Sequence, residues 1–269
     1  MPGHVYRSPE QLLAELGIDR PEDIDVEVIA FSCGATIDYE PLVGCEAHII
    51  GRGNEAIITV NSSSSRERQR FSAAHELGHW MRDRGTVAFA CDERKIRDDP
   101  VRRREDPEHL ANLYAAGLLL PQRMFDPLAK GQEITFTTVE RLSQRLQTSL
   151  TATAIRLVRN GSFPSILVRK QPGGREWWIA DPDVPIRDLK LRDQPGADSI
   201  ARELLAGDIT SSAARDVCAD AWFEHDRADR FRIYEDSRKV SGGVLTLLWW
   251  KDEAQLRELE EDDDRQPTL

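Results

Sequence analysis

The sequence has few cysteines, no long apolar segment and no excess of positive charge. Its 269 residues contain four cysteines, Cys33, Cys45, Cys91 and Cys218, which form no CxxC pair and no dense disulfide pattern. This usage favours a reducing compartment and predicts a cytoplasmic protein. The N-terminus has no apolar run behind a basic start, so no signal peptide is expected. The longest apolar runs, such as 243–250, are too short to cross a bilayer.

The charge balance narrows the classes of partner. The chain has 36 Lys and Arg against 47 Asp and Glu, which gives a formal net charge of -11 at pH 7. A chain this acidic repels phosphate at long range, so it is a poor generic binder of nucleic acid or anionic membrane. A local basic patch can still act at short range. The length allows two compact domains.

The segment 66–84 has a helical pattern and contains two histidines four residues apart, in the order His75-Glu76-Leu77-Gly78-His79. Residues four apart lie on the same helix face, so both imidazoles can bind one ion. Zinc takes imidazole nitrogens at about 2.0–2.1 Å. Glu76 is placed to accept a proton from metal-bound water, and Gly78 permits another backbone to come close. The pattern predicts one Zn²⁺ per chain rather than a chance pair of histidines.

A hydrolytic zinc needs a third protein ligand, and residues 105–121 supply the candidates. Glu108 lies in the first turn of a predicted helix, with Glu105 and His109 as rivals for the role. The alternative for Glu108 is a carboxylate that is favoured at a helix start by the helix dipole. Asn112 follows one turn later, where it can hydrogen-bond the outer nitrogen of a ligand histidine.

The segment between these two helices carries a thiol and a run of basic residues. Cys91 is a candidate fourth ligand that would hold the site latent, and the alternative is a small buried apolar residue. The basic residues could contact DNA phosphates, although the acidic residues between them favour a solvated, self-paired loop. They are Arg94, Lys95, Arg97, Arg102, Arg103 and Arg104.

The pattern along the chain predicts an α+β protein. Strands are predicted at 35–40, 46–51, 55–61, 165–169, 176–180, 230–234 and 244–250. Helices are predicted at 8–16, 25–31, 66–84, 108–120, 198–206 and, as a pair, within 137–159. Residues 85–107 are predicted to be an irregular loop, and 251–269 a charged, acidic tail. Each tryptophan pair, 177–178 and 249–250, is expected to place one ring in the core and one outside.

Two segments together resemble the ImmA/IrrE family of metallopeptidases. They are Arg70-Phe71-Ser72-Ala73-Ala74-His75-Glu76-Leu77-Gly78-His79 and Glu108-x-x-Ala111-Asn112-x-Tyr114-Ala115-Ala116-x-Leu118-Leu119-Leu120-Pro121. The resemblance covers about residues 25–125. It departs from the family pattern at Tyr114, where phenylalanine is usual, and at Leu120, where methionine is usual. Both changes keep an apolar side chain. The resemblance implies that Glu108 is the third zinc ligand.

The resemblance also implies a domain order and a function. It implies a zincin-like metallopeptidase domain at 1–130, a helical segment like a helix-turn-helix at 131–160, a GAF-like sensor domain at 161–250 and a tail at 251–269. Such enzymes are regulated zinc endopeptidases that cleave a helix-turn-helix (XRE-type) transcriptional repressor and so release stress, DNA-damage or phage-defence genes. Within the family, the arrangement is most similar to CapP-type peptidases beside anti-phage CBASS systems. That branch pairs with a CapH-type repressor and responds to single-stranded DNA.

The expected chemistry is peptide hydrolysis with Glu76 as the base. Tyr114 and His109 are candidates to stabilise the oxyanion, and the strand at 56–61 is the candidate for pairing with the substrate backbone. Two other functions fit the same motif. One is a zinc-bound adaptor that binds a repressor or nucleic acid without cutting it, and the other is a hydrolase of small amides.

Overall fold

The computed structural model describes residues 6–82, 86–91, 106–172, 174–185, 189–207, 209, 213–252 and 254–256, with only the backbone described at 86–91 and 174–176. The chain is a mixed α/β protein that divides into two compact units. The first comprises Met1–Pro127 and Ser143–Ser149, and the second Leu128–Leu142 and Leu150–Leu269. Within the described ranges, no helix is long and apolar enough to cross a membrane.

The first unit combines four strands with helices on one face of the sheet. Its elements are α1 (Pro9–Glu15), α2 (Val26–Ser32), β1 (Ala35–Glu40), β2 (Ala47–Arg52), β3 (Glu55–Asn61), α3 (Arg66–Arg82), β4 (Thr86–Cys91), α4 (Pro107–Leu119) and the greater part of α5 (Gln122–Ala129). The strand order is β1-β3-β2-β4, with β1 parallel to β3 and the other pairs antiparallel.

Alternation along the strands places the core of the first unit on one face of its sheet. Ala56, Ile58 and Val60 of β3 are buried, whereas Ile57 between them is 53% exposed. Because successive strand side chains point to opposite faces, the buried set faces one layer. That layer is α3, whose residues from Ser72 to Met81 are all buried. The helix that carries the histidines is therefore fixed along its length by the core.

Two expectations for this unit are wrong. The predicted irregular loop at 85–107 begins with strand β4, because Thr86–Cys91 pairs antiparallel with β2. The strand proposed for substrate pairing, β3, is an interior strand with β1 on one side and β2 on the other. Its backbone hydrogen bonds are used within the sheet, so it has no open edge.

The second unit is built around a five-stranded antiparallel sheet. Its elements are α6 (Phe136–Leu146), α7 (Leu150–Asn160), β5 (Ser165–Gln171), β6 (Gly174–Ala180), α8 (Ile200–Ala206), β7 (Arg215–Cys218), β8 (Arg232–Val240) and β9 (Gly243–Trp249). The last turn of α6 and the turn to α7 belong to the first unit. The strand order is β6-β5-β9-β8-β7.

The expected placement of the tryptophan pair 249–250 is wrong. Trp249 and Trp250 are both 1% exposed. Trp249 lies at the end of β9, between β5 and β8, and its ring stacks on Tyr234 with centroids 5.3 Å apart. Trp250 follows the strand and stacks on Phe223 at 5.8 Å. The residues of β9 after Gly243 are buried on both faces of the sheet, and Trp250 beyond the strand packs on Phe223, so neither ring points to solvent.

A buried carboxylate joins α8 to the sheet of the second unit. Glu235 on β8 is completely buried and accepts hydrogen bonds from the backbone N–H of Ala201 at 2.8 Å and from Trp222 Nε1 at 3.0 Å. The hydroxyls of Ser199 and Ser237 also donate to it, at 3.0 and 2.9 Å. Four donors offset much of the cost of burying this acid.

Candidate metal centre

The two histidines lie in the middle of α3, which begins at a serine cap and ends near the sheet. Ser65 Oγ accepts a hydrogen bond from the backbone N–H of Arg68 at 3.3 Å, as an N-cap residue does. His75 is 5% exposed and His79 is 1% exposed. Their rings meet edge to face, with centroids 4.8 Å apart. The spacing of four residues therefore places both imidazoles together in a largely buried position.

Glu108 of α4 completes a group of three possible metal ligands. The candidate ligand atoms of His75, His79 and Glu108 all lie within 4.8 Å of one another. The two Nε2 atoms are 3.2 Å apart. Glu108 Oε2 lies 3.3 Å from His75 Nε2, and its Oε1 lies 3.7 Å from His79 Nε2. Helices α3 and α4 thus bring the three predicted ligands, His75, His79 and Glu108, close together.

These separations fit a tetrahedral zinc ion. With ligand bonds of about 2.0–2.1 Å, the ligand atoms of a tetrahedral zinc lie about 3.3–3.4 Å apart. The distance of 3.2 Å between the two Nε2 atoms and that of 3.3 Å from His75 Nε2 to Glu108 Oε2 are close to this value, and the other carboxylate oxygen, Oε1, lies 3.7 Å from His79 Nε2. Two imidazoles with one carboxylate form a ligand set of the kind found at catalytic zinc, where a fourth position stays open to water or substrate.

Asn112 orients the first histidine. Its Oδ1 lies 3.0 Å from His75 Nδ1, which is the contact that the sequence spacing led us to expect. Because an amide oxygen only accepts, the proton of the imidazole is placed on Nδ1. The lone pair is then on Nε2, the nitrogen that faces Glu108. A hydrogen bond of this kind fixes the tautomer and the ring direction that a metal requires.

The close contact between α3 and α4 depends on Gly78. A Cβ added there would lie 2.9 Å from Tyr114 Cβ and 3.1 Å from Ala111 Cα. Real side chains do not come so near, so only glycine allows this approach. The start of α4 is fixed as well, since the N-cap Asp106 accepts a hydrogen bond from the N–H of Glu108 at 3.1 Å. The crossing and the cap together place Glu108 opposite the histidines.

Glu76, the predicted base, lies on α3 between the two histidines and is 0% exposed. Burying an ionised carboxylate costs free energy unless polar or charged partners compensate it, so a buried acid at this position points to a functional role. The other candidates are placed less directly. His109 is half-buried on α4 and is not among the three grouped ligands, and Tyr114 is 3% exposed with its ring edge-on to Tyr6.

Several predicted residues lie outside the described part of the chain. The backbone of Cys91 ends β4 and pairs with Ala47, but its side chain is not described. The rival ligand Glu105 and the basic residues Arg94, Lys95, Arg97, Arg102, Arg103 and Arg104 also lie outside the described residues.

Sequence reasoning missed the residues that anchor α3 on both sides of the histidines. Trp80 is fully buried, and its Nε1 donates to the carbonyl oxygen of Cys33 at 2.9 Å. Its ring packs where Gly51 leaves space on β2, since a Cβ there would lie 2.5 Å from the ring. Arg70 donates to the carbonyl oxygen of Ile24 at 3.2 Å, and burial lowers the pKa of its guanidinium. A tryptophan directly after His79 was the available signal.

Two comparisons with known proteins give matches to this chain. Residues 31–158 match the model of the peptidase M78 family, described as an IrrE N-terminal-like domain. That range contains the whole of the first sheet and both ligand helices. Among solved structures, a Mycobacterium tuberculosis transcriptional regulator is similar, with a TM-score of 0.57 and 14% identity over 96% of this chain and 78% of that chain. The comparison with curated proteins gives no match.

The two similarities support different statements. The family match supports a relation to the ImmA/IrrE family and a metallopeptidase or regulatory role. The similarity to the regulator, at 14% identity, shows a shared fold only. The residues that could bind zinc come from the geometry of α3 and α4.

Proposed function

We propose that this chain is a zinc metalloendopeptidase of the ImmA/IrrE family that cleaves a helix-turn-helix transcriptional repressor. The observation that carries the proposal is the grouping of His75, His79 and Glu108 beside a buried glutamate. A purely structural zinc site has no need of an acid such as Glu76 next to its ligands. The match to the peptidase M78 family supports the same chemistry.

Each residue of the site has a distinct task in this proposal. His75, His79 and Glu108 hold the ion, and Asn112 keeps His75 in the tautomer that binds it. When bound, zinc supplies a Lewis acid that polarises the scissile carbonyl and lowers the pKa of coordinated water to about 7. Glu76 takes the proton from the attacking water and delivers it to the leaving amine. The buried position of Glu76 excludes competing solvent from this transfer.

The substrate backbone is proposed to bind along β4. Among the described strands, β1 and β4 form the two edges of the first sheet. The side of β1 is flanked by α2, since Tyr39 donates a hydrogen bond to Glu27. β4 follows the metal helix α3 in sequence and is an edge strand among the described residues, so it is the better candidate for pairing with an extended peptide. An XRE-type repressor with an exposed extended segment would supply such a peptide.

Regulation of the site is proposed to follow the CapP-type pattern. A CapP-type enzyme would be held latent by a contact between Cys91 and zinc, because a thiolate is a good zinc ligand. Single-stranded DNA is the proposed trigger, with the phosphate contacts supplied by Arg94, Lys95, Arg97, Arg102, Arg103 and Arg104. Repressor cleavage would then release stress, DNA-damage or phage-defence genes in the cytoplasm.

The remainder of the chain is proposed to be regulatory. We assign a zincin-like domain to 1–130, a helix-turn-helix-like segment to 131–160, a GAF-like sensor to 161–250 and a tail to 251–269. The five-stranded antiparallel sheet supports a separate domain after the helical segment. The turn between α6 and α7 packs within the first unit, to which it belongs: Gln147 accepts a hydrogen bond from Arg70, and Arg145 pairs with Glu22 at 3.1 Å. This supports packing rather than DNA binding for that turn.

The test compares the wild-type chain with Glu76→Gln and with Glu67→Gln, the same change at an exposed site on α3. Each protein is loaded with zinc and incubated with a proteome-derived peptide library and a purified XRE-type repressor, in both the wild-type and Cys91→Ser backgrounds. New peptide termini are identified by mass spectrometry. We expect cleavage by the wild-type chain and by Glu67→Gln, and none by Glu76→Gln, although all three bind zinc.

Two outcomes would contradict the proposal. Cleavage by Glu76→Gln would show that another group is the base. A chain that binds zinc and the repressor but cuts neither substrate, even with Cys91→Ser, would be a zinc-bound adaptor.

A further inference from the structure

We propose that the second unit has a binding site for a small ligand that presents N–H donors. A cavity of about 460 Å³ lies between the first turn of α6 and β8, and all of its lining residues belong to the second unit. This volume is within the range of about 300–1,000 Å³ for small-molecule sites. Its lining includes Glu133, Thr135, Phe136, Thr138, Asp236 and Arg238.

The cavity contains one buried carboxylate with an open oxygen. Asp236 is 6% exposed, and its Oδ2 accepts a hydrogen bond from the backbone N–H of Phe136 at 2.7 Å. Its Oδ1 has no hydrogen-bond partner among the residues that the structure describes. Burial raises the pKa of this carboxyl. This oxygen keeps some solvent exposure, so it is accessible to a donor on a ligand in the cavity.

Capping of α6 does not explain an acid at this position. A helix start needs one side-chain oxygen, which asparagine or serine supplies without a charge to bury. The first turn already has a local cap, since Thr135 Oγ1 accepts a hydrogen bond from the N–H of Thr138 at 3.2 Å. Asp236 comes instead from β8, 100 residues further along the chain. Its second oxygen is therefore left for a different partner.

The other charged groups of the cavity already have partners. Arg238 pairs with Glu140, and its guanidinium lies 5.6 Å from the centre of the Phe136 ring. Glu133 pairs with Lys251 at 2.5 Å. Once these pairs are formed, the acceptor of Asp236 is the group that selects the ligand.

The chemistry of that acceptor defines the ligand class. A carboxylate oxygen in a partly enclosed cavity favours N–H donors, through a charge-assisted hydrogen bond. Two sources share this chemistry. One is a cationic amidine or amine, and the other is the neutral N–H edge of a purine base. A ligand with its own carboxylate at this end would be repelled.

The test uses Asp236→Asn in the full-length chain. Asparagine can still accept from the N–H of Phe136 through its Oδ1, so the cap is kept. Its Nδ2 then points into the cavity and turns the acceptor into a donor. The probes are benzamidine, guanosine and benzoate, followed by saturation-transfer NMR and calorimetry. Asp216→Asn, an exposed aspartate that pairs with Arg232 at 3.0 Å, is the matched control.

We expect benzamidine, guanosine or both to bind the wild-type chain and Asp216→Asn, and benzoate to bind neither. Benzamidine alone would identify a cationic ligand, and guanosine a base-like one. Asp236→Asn should bind the successful probe at least about tenfold more weakly, as loss of a charge-assisted hydrogen bond implies. The backbone N–H resonance of Phe136 in the wild-type chain should also shift with the probe, which tests the site even if the variant is poorly folded.

Three results would overturn the inference. They are failure of both N–H probes to bind the wild-type chain, equal binding to a folded Asp236→Asn, and binding of benzoate as tightly as benzamidine.

Discussion

Replacement of Gly78 by alanine should weaken zinc binding while the chain stays folded. The added Cβ would lie 2.9 Å from Tyr114 Cβ, whereas ordinary carbon contacts are about 3.5–4.0 Å. The two helices must therefore separate by roughly 0.6–1.1 Å at this point. Glu108 is on the same helix as Tyr114, less than two turns before it. A ligand site tolerates deviations of only about 0.2 Å, so this shift is large for Glu108.

The free energies of folding and of zinc binding should respond differently to Gly78→Ala. Alanine gains about 1 kcal/mol of helix propensity over glycine, and overpacking costs about 1–3 kcal/mol. The free energy of unfolding should thus change by at most about 2 kcal/mol. Zinc affinity should fall about 10- to 100-fold, as it does when ligand positioning is lost.

The assay is competition for zinc against a chromophoric chelator, with circular dichroism to follow unfolding. Gly117→Ala is the matched control, because it is the same change on α4 but its Cβ meets Pro9 Cγ, at 3.1 Å, rather than α3. This control should keep wild-type zinc affinity. If Gly78→Ala also binds zinc as tightly as the wild-type chain, the helix crossing does not position Glu108 and the reasoning fails.

Three further results are expected. Asn112→Ala should lower zinc affinity about 10- to 100-fold, because His75 loses the 3.0 Å contact at Nδ1. The same zinc competition measures this, and unchanged affinity would refute the role of Asn112. Glu235→Ala should lower the free energy of unfolding by more than about 3 kcal/mol, because four buried donors lose their acceptor. Urea denaturation measures this loss, and a loss below about 1 kcal/mol would contradict the prediction. Asp236→Asn should become more stable relative to the wild-type chain as pH rises from about 4 to 7. Burial raises the pKa of Asp236 above 3.8, so the stability it contributes is present when it is protonated and is lost as it ionises; a pH-independent difference in urea denaturation would count against this.

Local patterns in the sequence predict many of the elements. The strands at Ala35–Glu40 and Glu55–Asn61 were predicted with the bounds that the structure has. Helices α3 and α4 follow from their apolar spacing and from their caps at Ser65 and Asp106. The pairing of the two histidines was also predictable, because helix spacing fixes the relative position of residues on one face, whereas Glu108 was chosen over its rivals through the family resemblance.

Other elements were missed or predicted only in part. β4 is a short apolar run before a charged segment, and its strand form comes from pairing with β2. β7 has only four residues and is defined by pairing with β8. β8 extends to Val240, well beyond the predicted 230–234, because β9 pairs with it as far as Gly243. α5 was missed because Pro127 lies inside it, and proline usually argues against a helix.

The site also depends on contacts that spacing alone does not show. The separation of α3 and α4 at Gly78 depends on Ala111 and Tyr114, which are more than 30 residues away. The anchoring of Trp80 to the carbonyl of Cys33 joins two segments that are 47 residues apart. A sequence read locally predicts which residues can bind a metal, and the packing of the helices decides whether they meet.

Zinc K-edge absorption spectroscopy of the purified chain would show whether the histidines of α3 hold the metal. We expect two imidazole ligands with a light-atom shell at about 2.0–2.2 Å, and a sulfur neighbour at about 2.3 Å in the latent state that disappears in Cys91→Ser. One imidazole should be lost in His79→Ala. A spectrum without imidazole scattering, or one that His79→Ala leaves unchanged, would show that zinc is not held by α3 and α4.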